Sequence, residues 1–329
     1  FFFKQKTAYE ISTRDWSSDV CSSDLGVSLR VAILGEPSGW HAGRLAAALV
    51  ARGHEAGIVP WNRLTAAIDA GMESFGPSTV ADADLIAVRG MPGGGRTEDR
   101  LEEVIFRMNL LGRVAAMGTP VVNTPQSLEV AIDKHLSLCR MADAGVPVPR
   151  TRCVQDADMA IEAWEEFGGD CLLKPLFGSR GRGLARIRSK ADLRAATGQD
   201  SERNSLGGVF YMQEFIPHAG WDSRVLLVGD RAFCMRRWAP AGEWRTNIAC
   251  GGTGEPFAVP AGWLDLARRA AAAVGAEIAG VDLLAGAGGD PVVLEVNGVP
   301  GWRGMEEATG EDVTAAVARH LEVVGCNQP

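Results

Sequence analysis

The side chains best suited to chemistry lie on two predicted strands near the carboxyl end of the chain. Gly280–Leu284 has the alternating pattern of a half-buried strand, and Pro291–Val296 follows it after a Gly-rich turn. Glu295 and Asn297 are two positions apart, so they project from the same face of the second strand. If the hairpin closes over its turn, Asp282 lies beside Glu295 to within about one residue of register.

This arrangement brings two carboxylates and one amide oxygen together at one end of a sheet. Such hard oxygen ligands suit Mg²⁺, which keeps water molecules and substrate phosphates in its remaining coordination positions. An ordinary hairpin with one salt-bridged glutamate has the same sequence pattern, so the hairpin taken alone leaves both interpretations open. If the metal ion binds substrate phosphates, the rest of the chain must supply the residues that bind the phosphate oxygens.

A Gly-rich loop follows the predicted strand Cys171–Leu176. Glycines let backbone N–H groups approach a phosphate closely, and Lys174 places a positive charge in front of them. The loop lacks the Gly-Lys-Ser/Thr ending of a P-loop, and a plain Gly-rich hairpin is the structural alternative, but the preceding lysine favours phosphate binding. The candidate phosphate-binding residues of the loop are Gly178, Ser179, Gly181 and Gly183.

These segments resemble the ATP-grasp superfamily, most closely its RimK-like branch of alpha-L-glutamate ligases. The resemblance rests on GVD at Gly280–Asp282, on LEVNGVPG at Leu294–Gly301, and on a KP…GS.G.G pattern that begins at Lys174. It implies an α/β (α+β ATP-grasp) fold in which ATP lies between two sheets. It also implies that the two carboxylates and the amide of the hairpin hold Mg²⁺, with Mn²⁺ as an alternative ion, against the ATP phosphates.

The resemblance assigns nucleotide contacts to further residues. Lys134, at the start of a helix, would reach the phosphates together with Lys174. The segment that matches Gln213–Ile216 is a hinge whose backbone contacts adenine and whose apolar side chains enclose the ring, although the pattern alone is equally typical of a core strand. The residue that matches Asp222 lies near the ribose. The implied adenine-binding residues are Gln213, Glu214, Phe215 and Ile216.

Three more residues complete the implied ATP site. Arg245 and Asn247 match an Arg-x-Asn pair in which the arginine stabilises the transferring phosphate and the asparagine faces phosphate or metal. Arg236, near the end of a predicted strand, is the third. Arg245 and Lys174 are therefore the candidate catalytic residues.

Candidate substrate contacts follow the metal-binding strand and one N-terminal strand. In the Gly/Pro loop Gly298–Gly304, Arg303 is a candidate for binding the carboxylate of an incoming amino acid, and Trp302 is a candidate wall of the pocket. Arg89 follows a predicted strand and is a candidate contact for an acidic substrate, with an ordinary surface turn as the alternative.

Strands alternate with helices in the first part of the chain, which predicts an open, mostly parallel sheet. We predict an N-terminal α/β domain over residues 26–123, a central ATP-grasp domain with the Gly-rich loop over 124–215, and a C-terminal ATP-grasp domain with the magnesium site over 216–329. The predicted elements of the first domain are the strands Leu29–Leu34, Glu55–Val59, Asp84–Val88 and Pro120–Asn123, and the helices Ala42–Arg52 and Thr97–Met117.

Composition narrows the possible classes of function. The 329 residues are 46% hydrophobic and carry a formal charge of −8, which gives no overall attraction to nucleic acid or to an anionic membrane surface. No apolar run is long enough for a membrane span. The seven cysteines show no paired spacing, which is typical of reduced thiols in a cytoplasmic enzyme.

The resemblance implies a specific reaction. ATP-grasp ligases transfer the γ-phosphate of ATP to a carboxylate, and an amine then attacks the acyl phosphate, so no protein nucleophile is required. The branch adds L-glutamate through its α-amine to a cofactor or a protein terminus, and the motif wording is similar to the pterin-cofactor subset. Two alternatives stay open: ligation of another amine, such as a peptide or polyamine, and a nucleotide-binding regulatory protein without turnover. The oligomeric state, including a homo-oligomer, also stays open.

Residues 1–25 differ in character from the rest of the chain. They have no sustained apolar period, they contain a Ser/Asp cluster, and they resemble translated sequencing-adapter sequence. A natural disordered tail is the alternative, and both interpretations predict a tract without packed structure.

Deletion of Phe1–Leu25 is expected to change neither the melting temperature nor ATP turnover, because the tract has no periodic apolar face with which to pack. Thermal melting and an ADP-release assay on the full-length and shortened chains measure both properties. A substantial loss of either one would contradict this interpretation.

Overall fold

A computed structural model describes residues 28–91, 101–178, 183–197, 208–286 and 289–327. It has an N-terminal layer built on a parallel sheet, followed by two antiparallel sheets, and the predicted α/β fold class is confirmed. Within this part of the chain, no helix is long and apolar enough to cross a lipid bilayer. The predicted tract Phe1–Leu25, the predicted helix start at Thr97, and the loop residues Ser179 and Gly181 lie outside the described residues.

The first sheet is parallel and contains the four strands that the sequence predicts, in the spatial order β2-β1-β5-β6. Its strands are apolar on both faces because helices cover both: α1 and the last helix of the chain cover one, and α2 and α3 the other. The exposed hairpin β3–β4 is not predicted by the sequence pattern. The elements are β1 (Arg30–Leu34), α1 (Trp40–Ala51), β2 (Glu55–Val59), β3 (Thr65–Asp69), β4 (Met72–Gly76), α2 (Ser78–Ala81), β5 (Leu85–Val88), α3 (Leu101–Ala116) and β6 (Val121–Val122).

Two short helices, α4 (Pro125–Ile132) and α5 (Lys134–Asp143), lead into the second sheet. The hydroxyl of Thr124 accepts a hydrogen bond from the backbone N–H of Ser127 at 3.2 Å, which caps α4. The second sheet is antiparallel, in the order β7-β10-β8-β9, and α6 and α7 pack on one of its faces. Its elements are β7 (Thr151–Val154), α6 (Ala157–Glu166), β8 (Cys171–Lys174), β9 (Ala185–Ile187), α7 (Lys190–Thr197) and β10 (Phe210–Glu214).

The third sheet is antiparallel, in the order β13-β12-β11-β14-β15. The helix α8 packs on one face, and part of the other face joins the core of the N-terminal layer. The remaining elements are β11 (Trp221–Val228), β12 (Arg231–Trp238), β13 (Thr253–Pro256), α8 (Ala261–Val274), β14 (Ile278–Ala285), β15 (Pro291–Asn297), α9 (Arg303–Thr309) and α10 (Val313–Cys326).

The hairpin β14–β15 has the predicted register. Asp282 is the direct antiparallel partner of Glu295, and Asn297 is the partner of Gly280. The register shifts after Asp282, so the bulge lies on the turn side of the pair. Because directly opposed residues of an antiparallel pair share one face of the sheet, Asp282 and Glu295 project together.

A buried ionic cluster joins α10 to the N-terminal layer. The carboxylate of Glu322, which is 2% exposed, accepts hydrogen bonds from Arg52 (Nη2–Oε2, 2.6 Å) and from Nε2 of His54 (2.9 Å). Nδ1 of His54 accepts the backbone N–H of Leu29 at 3.2 Å, so the imidazole hydrogen that faces Glu322 is on Nε2. Burial raises the pKa of Glu322, but the hydrogen bonds from Arg52 and His54 outweigh it and lower the pKa.

Glu322→Ala is expected to reduce the free energy of unfolding by about 3 kcal/mol or more, because it leaves His54 buried without its partner. Urea denaturation at neutral pH measures this. Since the native pKa of Glu322 lies below the unfolded one, its contribution is present above the unfolded pKa and is lost as the pH falls through the native pKa.

Glu307→Ala is the matched control. Glu307 pairs with Arg303 at the surface, where both side chains are more than half exposed, so its loss should cost less than about 1 kcal/mol. Equal destabilisation by the two variants would contradict a structural role for the buried cluster.

Candidate functional site

An open cleft lies between the second and third sheets. It contains about 910 Å³ of empty space, which includes space open to solvent. Strands β8 and β10 form one wall, β14 and β15 form the other, and the segment after β12 closes one end. Of the residues predicted from the sequence, the cleft is lined by Lys134, Lys174, Gly178, Gln213, Glu214, Phe215, Ile216, Asp222, Arg245, Asn247, Asp282 and Glu295.

Lys174 extends from the end of β8 into the cleft. Its Nζ donates a hydrogen bond to Oε1 of Gln213 at 2.6 Å, and Nε2 of Gln213 donates to the hydroxyls of Thr151 (3.0 Å) and Tyr211 (3.3 Å). The side chain of Gln213 thus orients the lysine, a role that the sequence does not indicate. Burial lowers the pKa of Lys174 to about 8, and Glu295 opposes this shift.

Lys134 binds the beginning of the Gly-rich loop. Asp133 caps α5 by accepting the N–H groups of its first turn, which fixes the backbone at Lys134. Nζ of Lys134 donates to the carbonyls of Leu176 at 3.2 Å and Gly178 at 2.7 Å. Gly178 has φ +136°, a conformation that only glycine adopts readily. Burial lowers the pKa of Lys134, while Glu295 and Asp133 oppose that shift.

Four side chains of alternating charge lie on one face of the third sheet. Their contacts link them in the order Arg224, Asp282, Arg237 and Asp222, and we call this set the charge row. Asp282, which is 3% exposed, accepts hydrogen bonds from Nε and Nη2 of Arg224 (Nη2–Oδ2, 2.7 Å), and Nη2 of Arg237 lies 2.9 Å from its Oδ2. Arg237 also binds both oxygens of Asp222, at 2.7 and 2.5 Å. Burial opposes the ionisation of Asp282, but the two guanidinium groups outweigh it and hold its pKa below the usual value.

Glu295 lines the cleft, and the side chain of Asn297 lies beside it. Nδ2 of Asn297 donates to Oε1 of Glu295 at 3.1 Å and to the carbonyl of Gly280 at 3.4 Å. The amide nitrogen therefore faces protein acceptors, and its carbonyl oxygen is the atom suited to a cation. The two side chains project together, as their spacing predicts.

Arg245 lies in the segment that closes the cleft and is bound to a neighbour in the chain. Its Nη2 donates to Oε2 of Glu243 at 2.5 Å, while Oε1 of Glu243 accepts the N–H groups of Trp244 and Arg245. The hydrogen bond from Arg245 lowers the pKa of Glu243 to about 2. The indole of Trp244 meets the ring of Phe215 edge to face, with centroids 5.8 Å apart, so this segment contacts the predicted hinge.

Two predicted nucleotide contacts have other partners in the structure. Asp222 lines the cleft, where both of its oxygens accept hydrogen bonds from Arg237, and its position near the ribose stays a prediction. Arg236 lies on the opposite face of the third sheet because adjacent strand residues alternate. There its guanidinium contacts the rings of Trp221 at 4.4 Å and Phe257 at 4.2 Å, so the structure does not bring it into the cleft.

The sequence pattern did not single out Arg224 and Arg237, the two arginines that bind Asp282 and Asp222. The signal for them is the two-residue turn Gly229-Asp230, which fixes the register of β11 and β12. Counting back from this turn pairs Asp222 with Arg237. Arg224 then follows from the pairing of β11 with β14, which only the folded sheet provides.

The three predicted substrate contacts are not brought together in the cleft. Trp302 is fully buried, and its Nε1 donates to the hydroxyl of Thr314 at 2.9 Å, so it belongs to the core and does not wall a pocket. Arg89 is half-buried beside the same loop: its Nη2 donates to the carbonyl of Pro300 at 2.6 Å, and its guanidinium lies 4.1 Å from the ring centre of Trp302. Arg303 is exposed and pairs with Glu307 at 2.8 Å. The apolar composition of the loop Gly298–Gly304 is typical both of a pocket wall and of a core segment, so the sequence alone does not distinguish the two.

The chain is similar to known proteins both in sequence and in fold. Residues 131–321 match the RimK-like ATP-grasp domain. The chain is 31% identical over 273 residues to the tetrahydromethanopterin:alpha-L-glutamate ligase of Methanosarcina acetivorans, covering 75% of this chain and 82% of that protein. It is 34% identical over 209 residues to a probable alpha-L-glutamate ligase of Shewanella loihica, covering 63% and 68%. The structure of the ATP-grasp ligase PsnB complexed with minimal precursor matches with a TM-score of 0.69 at 25% identity, covering 90% of this chain and 99% of that one.

If the cleft binds the predicted nucleotide, its affinity for ATP should fall as the pH rises through about 8. Lys174 has a pKa lowered to about 8, so its ammonium charge is present below this pH and is lost above it. Because phosphate oxygens favour the protonated amine, the dissociation constant should rise by up to about tenfold per pH unit. Calorimetric titration of ATP between about pH 7 and 10 measures the profile.

Lys174→Met is the control, since it removes the titrating group and retains an unbranched side chain. It should bind ATP more weakly below pH 8 with an unchanged circular dichroism spectrum, and its affinity should vary less with pH. Parallel pH profiles in the two proteins would exclude Lys174 as a phosphate ligand.

Proposed function

We propose that this chain, which belongs to the RimK-like ATP-grasp family, uses ATP to join the α-amine of L-glutamate to a carboxylate acceptor. The observation that carries this proposal is the convergence in one cleft of two lysines, Lys134 and Lys174, with the opposed carboxylates Asp282 and Glu295. Such a cleft has cations on one wall for phosphate oxygens and anions on the other wall for a metal ion. The reaction is carboxylate–amine ligation through an acyl phosphate.

The cleft has an apolar part and a basic part, which suit the two ends of ATP. Leu172, Ile216, Leu284 and Leu294 line the apolar part, where a purine ring can be enclosed against the backbone of the hinge Gln213–Ile216. Lys134, Lys174 and Arg245 supply the positive charge for the triphosphate. We propose that Gly178 lies close to the phosphates.

The donor set at the carboxylate edge fits Mg²⁺, and Mn²⁺ would accept the same oxygens. Glu295 offers a carboxylate and Asn297 offers its carbonyl oxygen, since its Nδ2 is already directed to Glu295 and Gly280. When bound, the ion supplies charge neutralisation at the phosphate oxygens. Asp282 is a candidate third ligand, but both of its oxygens are hydrogen-bonded to arginines.

Arg224 and Arg237 neutralise the buried carboxylate of Asp282 in the free protein. For Asp282 to hold the cation, one of these guanidinium groups would have to release a carboxylate oxygen. The positive charge of the bound ion would then replace that of the guanidinium group beside Asp282.

The remaining work of the chain is positioning and stabilisation of charge. Lys174, held by Gln213, presents its ammonium group to the transferring phosphoryl group. Arg245 has to exchange Glu243 for phosphate, because its Nη2 is bound to that carboxylate in the free enzyme. The acceptor carboxylate attacks phosphorus, ADP leaves, and the amine of glutamate then displaces phosphate from the acyl phosphate.

We propose a small cofactor of the pterin class as the carboxylate acceptor. Support comes from the Methanosarcina acetivorans relative, whose name specifies tetrahydromethanopterin and whose similarity spans 75% of this chain. A peptide acceptor is the second candidate, because PsnB binds a precursor and matches 90% of this chain. Incubation with ATP, L-glutamate and each acceptor, followed by mass spectrometry, distinguishes the two by which acceptor gains a glutamyl residue. If no ADP is released with either acceptor or with any other amine, the regulatory alternative is favoured.

Glu295→Gln is expected to reduce the ligation rate by about a hundredfold or more, because it removes the charge that holds the metal against the phosphates. Asn297→Asp retains an oxygen ligand and adds charge, so Mg²⁺ binding should persist or tighten while the rate falls. The ligation rate of Asp282→Asn should lie between the rates of these two variants. The measurement is the initial rate across a Mg²⁺ titration for each protein.

Glu255→Gln is the matched control, because Glu255 is a carboxylate of the same sheet that pairs with Arg236 away from the cleft. It should retain the wild-type rate and Mg²⁺ dependence. Wild-type kinetics in Glu295→Gln would remove the metal assignment and most of the proposed function.

A further inference from the structure

The loop that follows the proposed metal ligands is bound by side chains of the N-terminal layer. Asn297 ends β15, and the next residues, 298–302, have no strand partner. The carbonyl of Gly298 accepts Nδ2 of Asn123 at 2.6 Å, and the carbonyl of Pro300 accepts Nη2 of Arg89 at 2.6 Å. Nε2 of His41 accepts the backbone N–H of Trp302 at 2.9 Å. We call His41, Arg89 and Asn123 the N-terminal clamp.

Asn123 has the most contacts of the three. It is 3% exposed, and its amide makes four hydrogen bonds, which is the full capacity of the group when each hydrogen and lone pair is used once. Besides the bond to Gly298, Nδ2 donates to the carbonyl of Ile278 at 2.7 Å, and Oδ1 accepts the N–H groups of Glu277 and Ile278 at 2.8 and 2.9 Å. One side chain thus connects the end of β6, the start of β14 and the residue after Asn297.

Close packing prevents the loop from adjusting independently. A Cβ at Gly298 would lie 2.9 Å from the Cβ of Ala131, and a Cβ at Gly280 would lie 2.9 Å from the Cβ of Pro300. Gly280 is also the strand partner of Asn297. A displacement of the loop backbone therefore moves Asn297, because neither side of the strand end has space to absorb it.

We infer that Asn123 is a positioning residue of the ligase reaction, which acts through the Gly298 carbonyl to fix the metal-ligating amide of Asn297. Arg89 and His41 complete this clamp by fixing the backbone at Pro300 and Trp302. The inference deepens the proposed function and rests on its assignment of Asn297 to the metal. The N-terminal layer thereby contributes to metal binding without supplying a ligand.

The interaction pattern distinguishes positioning from simple domain packing. Trp302 of this loop packs in the core, but the clamp adds polar contacts that packing does not require: it donates to loop carbonyls and accepts a loop N–H at three points within five residues. Supporting hydrogen bonds of this kind change metal affinity by about 10- to 100-fold in metalloproteins when they are removed. The guanidinium of Arg89 donates to the Pro300 carbonyl although its surroundings disfavour the charge, since burial lowers the pKa of Arg89 to about 9.

The test is Mg²⁺ binding by calorimetry in the presence of a non-hydrolysable ATP analogue, with Asn123→Asp as the variant. The aspartate keeps the acceptor for Glu277 and Ile278 and loses both donors, so the bond to Gly298 is replaced by repulsion between oxygens. Mg²⁺ affinity should fall by about 10- to 100-fold, while affinity for the analogue without metal stays within about twofold. Hydrogen exchange should accelerate at residues 298–302, the segment whose backbone loses its partner.

Two further variants keep the test decisive. Arg89→Met removes the hydrogen bond to Pro300 and the cation–π contact with Trp302. It should lower Mg²⁺ affinity by a smaller factor than Asn123→Asp, and it provides the test if Asn123→Asp fails to fold. Ser127→Ala is the matched control: its buried hydroxyl has no hydrogen-bond partner among the described residues, so Mg²⁺ affinity should be unchanged.

Asn297→Ala separates failure of the inference from failure of the proposed function. If Asn297→Ala weakens Mg²⁺ binding but folded Asn123→Asp and Arg89→Met bind Mg²⁺ as the wild type does, the clamp is structural only and the inference is overturned. If Asn297→Ala itself binds Mg²⁺ as the wild type does, the metal assignment in the proposed function is what fails.

Discussion

Compensation of buried charge is the interaction on which the rest of the site depends. Asp282 and Asp222 are each 3% exposed, and isolated carboxylates at such positions would cost several kcal/mol each. The guanidinium groups of Arg224 and Arg237 offset this cost only because β11, β12 and β14 hold all four side chains on one face of the third sheet. A register slip of one residue would turn them to the opposite face, so the charge row specifies the register. Glu295 lies beside Asp282 because β15 pairs with β14.

The opposite wall of the cleft has positive charges without anionic partners of their own. Lys134 and Lys174 have neutral partners, the carbonyls of Leu176 and Gly178 and the amide of Gln213, and burial lowers the pKa of both lysines. An anion between the walls would restore favourable charge to the lysines, and a cation beside it would do the same for Glu295. A metal–polyphosphate ligand would satisfy the charges of both walls at once.

The N-terminal layer stabilises this arrangement from behind. Its parallel sheet shares one hydrophobic core with β11, β12 and α10, and Trp302 is part of that core. The buried contacts of Glu322 with Arg52 and His54 connect the same surfaces with directional interactions. The layer therefore supports the third sheet at the strand end where Asn297 lies, and the clamp is the polar component of that support.

Local patterns in the sequence determined the Asp282–Glu295 pairing and the alternation that gives a parallel N-terminal sheet, because each depends on residue period or turn length. The order of motifs along the chain also predicted most of the residues that line the cleft. Only the tertiary structure decided that Arg237 faces the charge row while Arg236 contacts aromatic rings, that Trp302 belongs to the core, and that Arg89 and Asn123 bind the loop after Asn297. The clamp contacts join residues 175 to 261 positions apart in the chain. No local period encodes such separations, since they arise when apolar surfaces of distant segments are buried together.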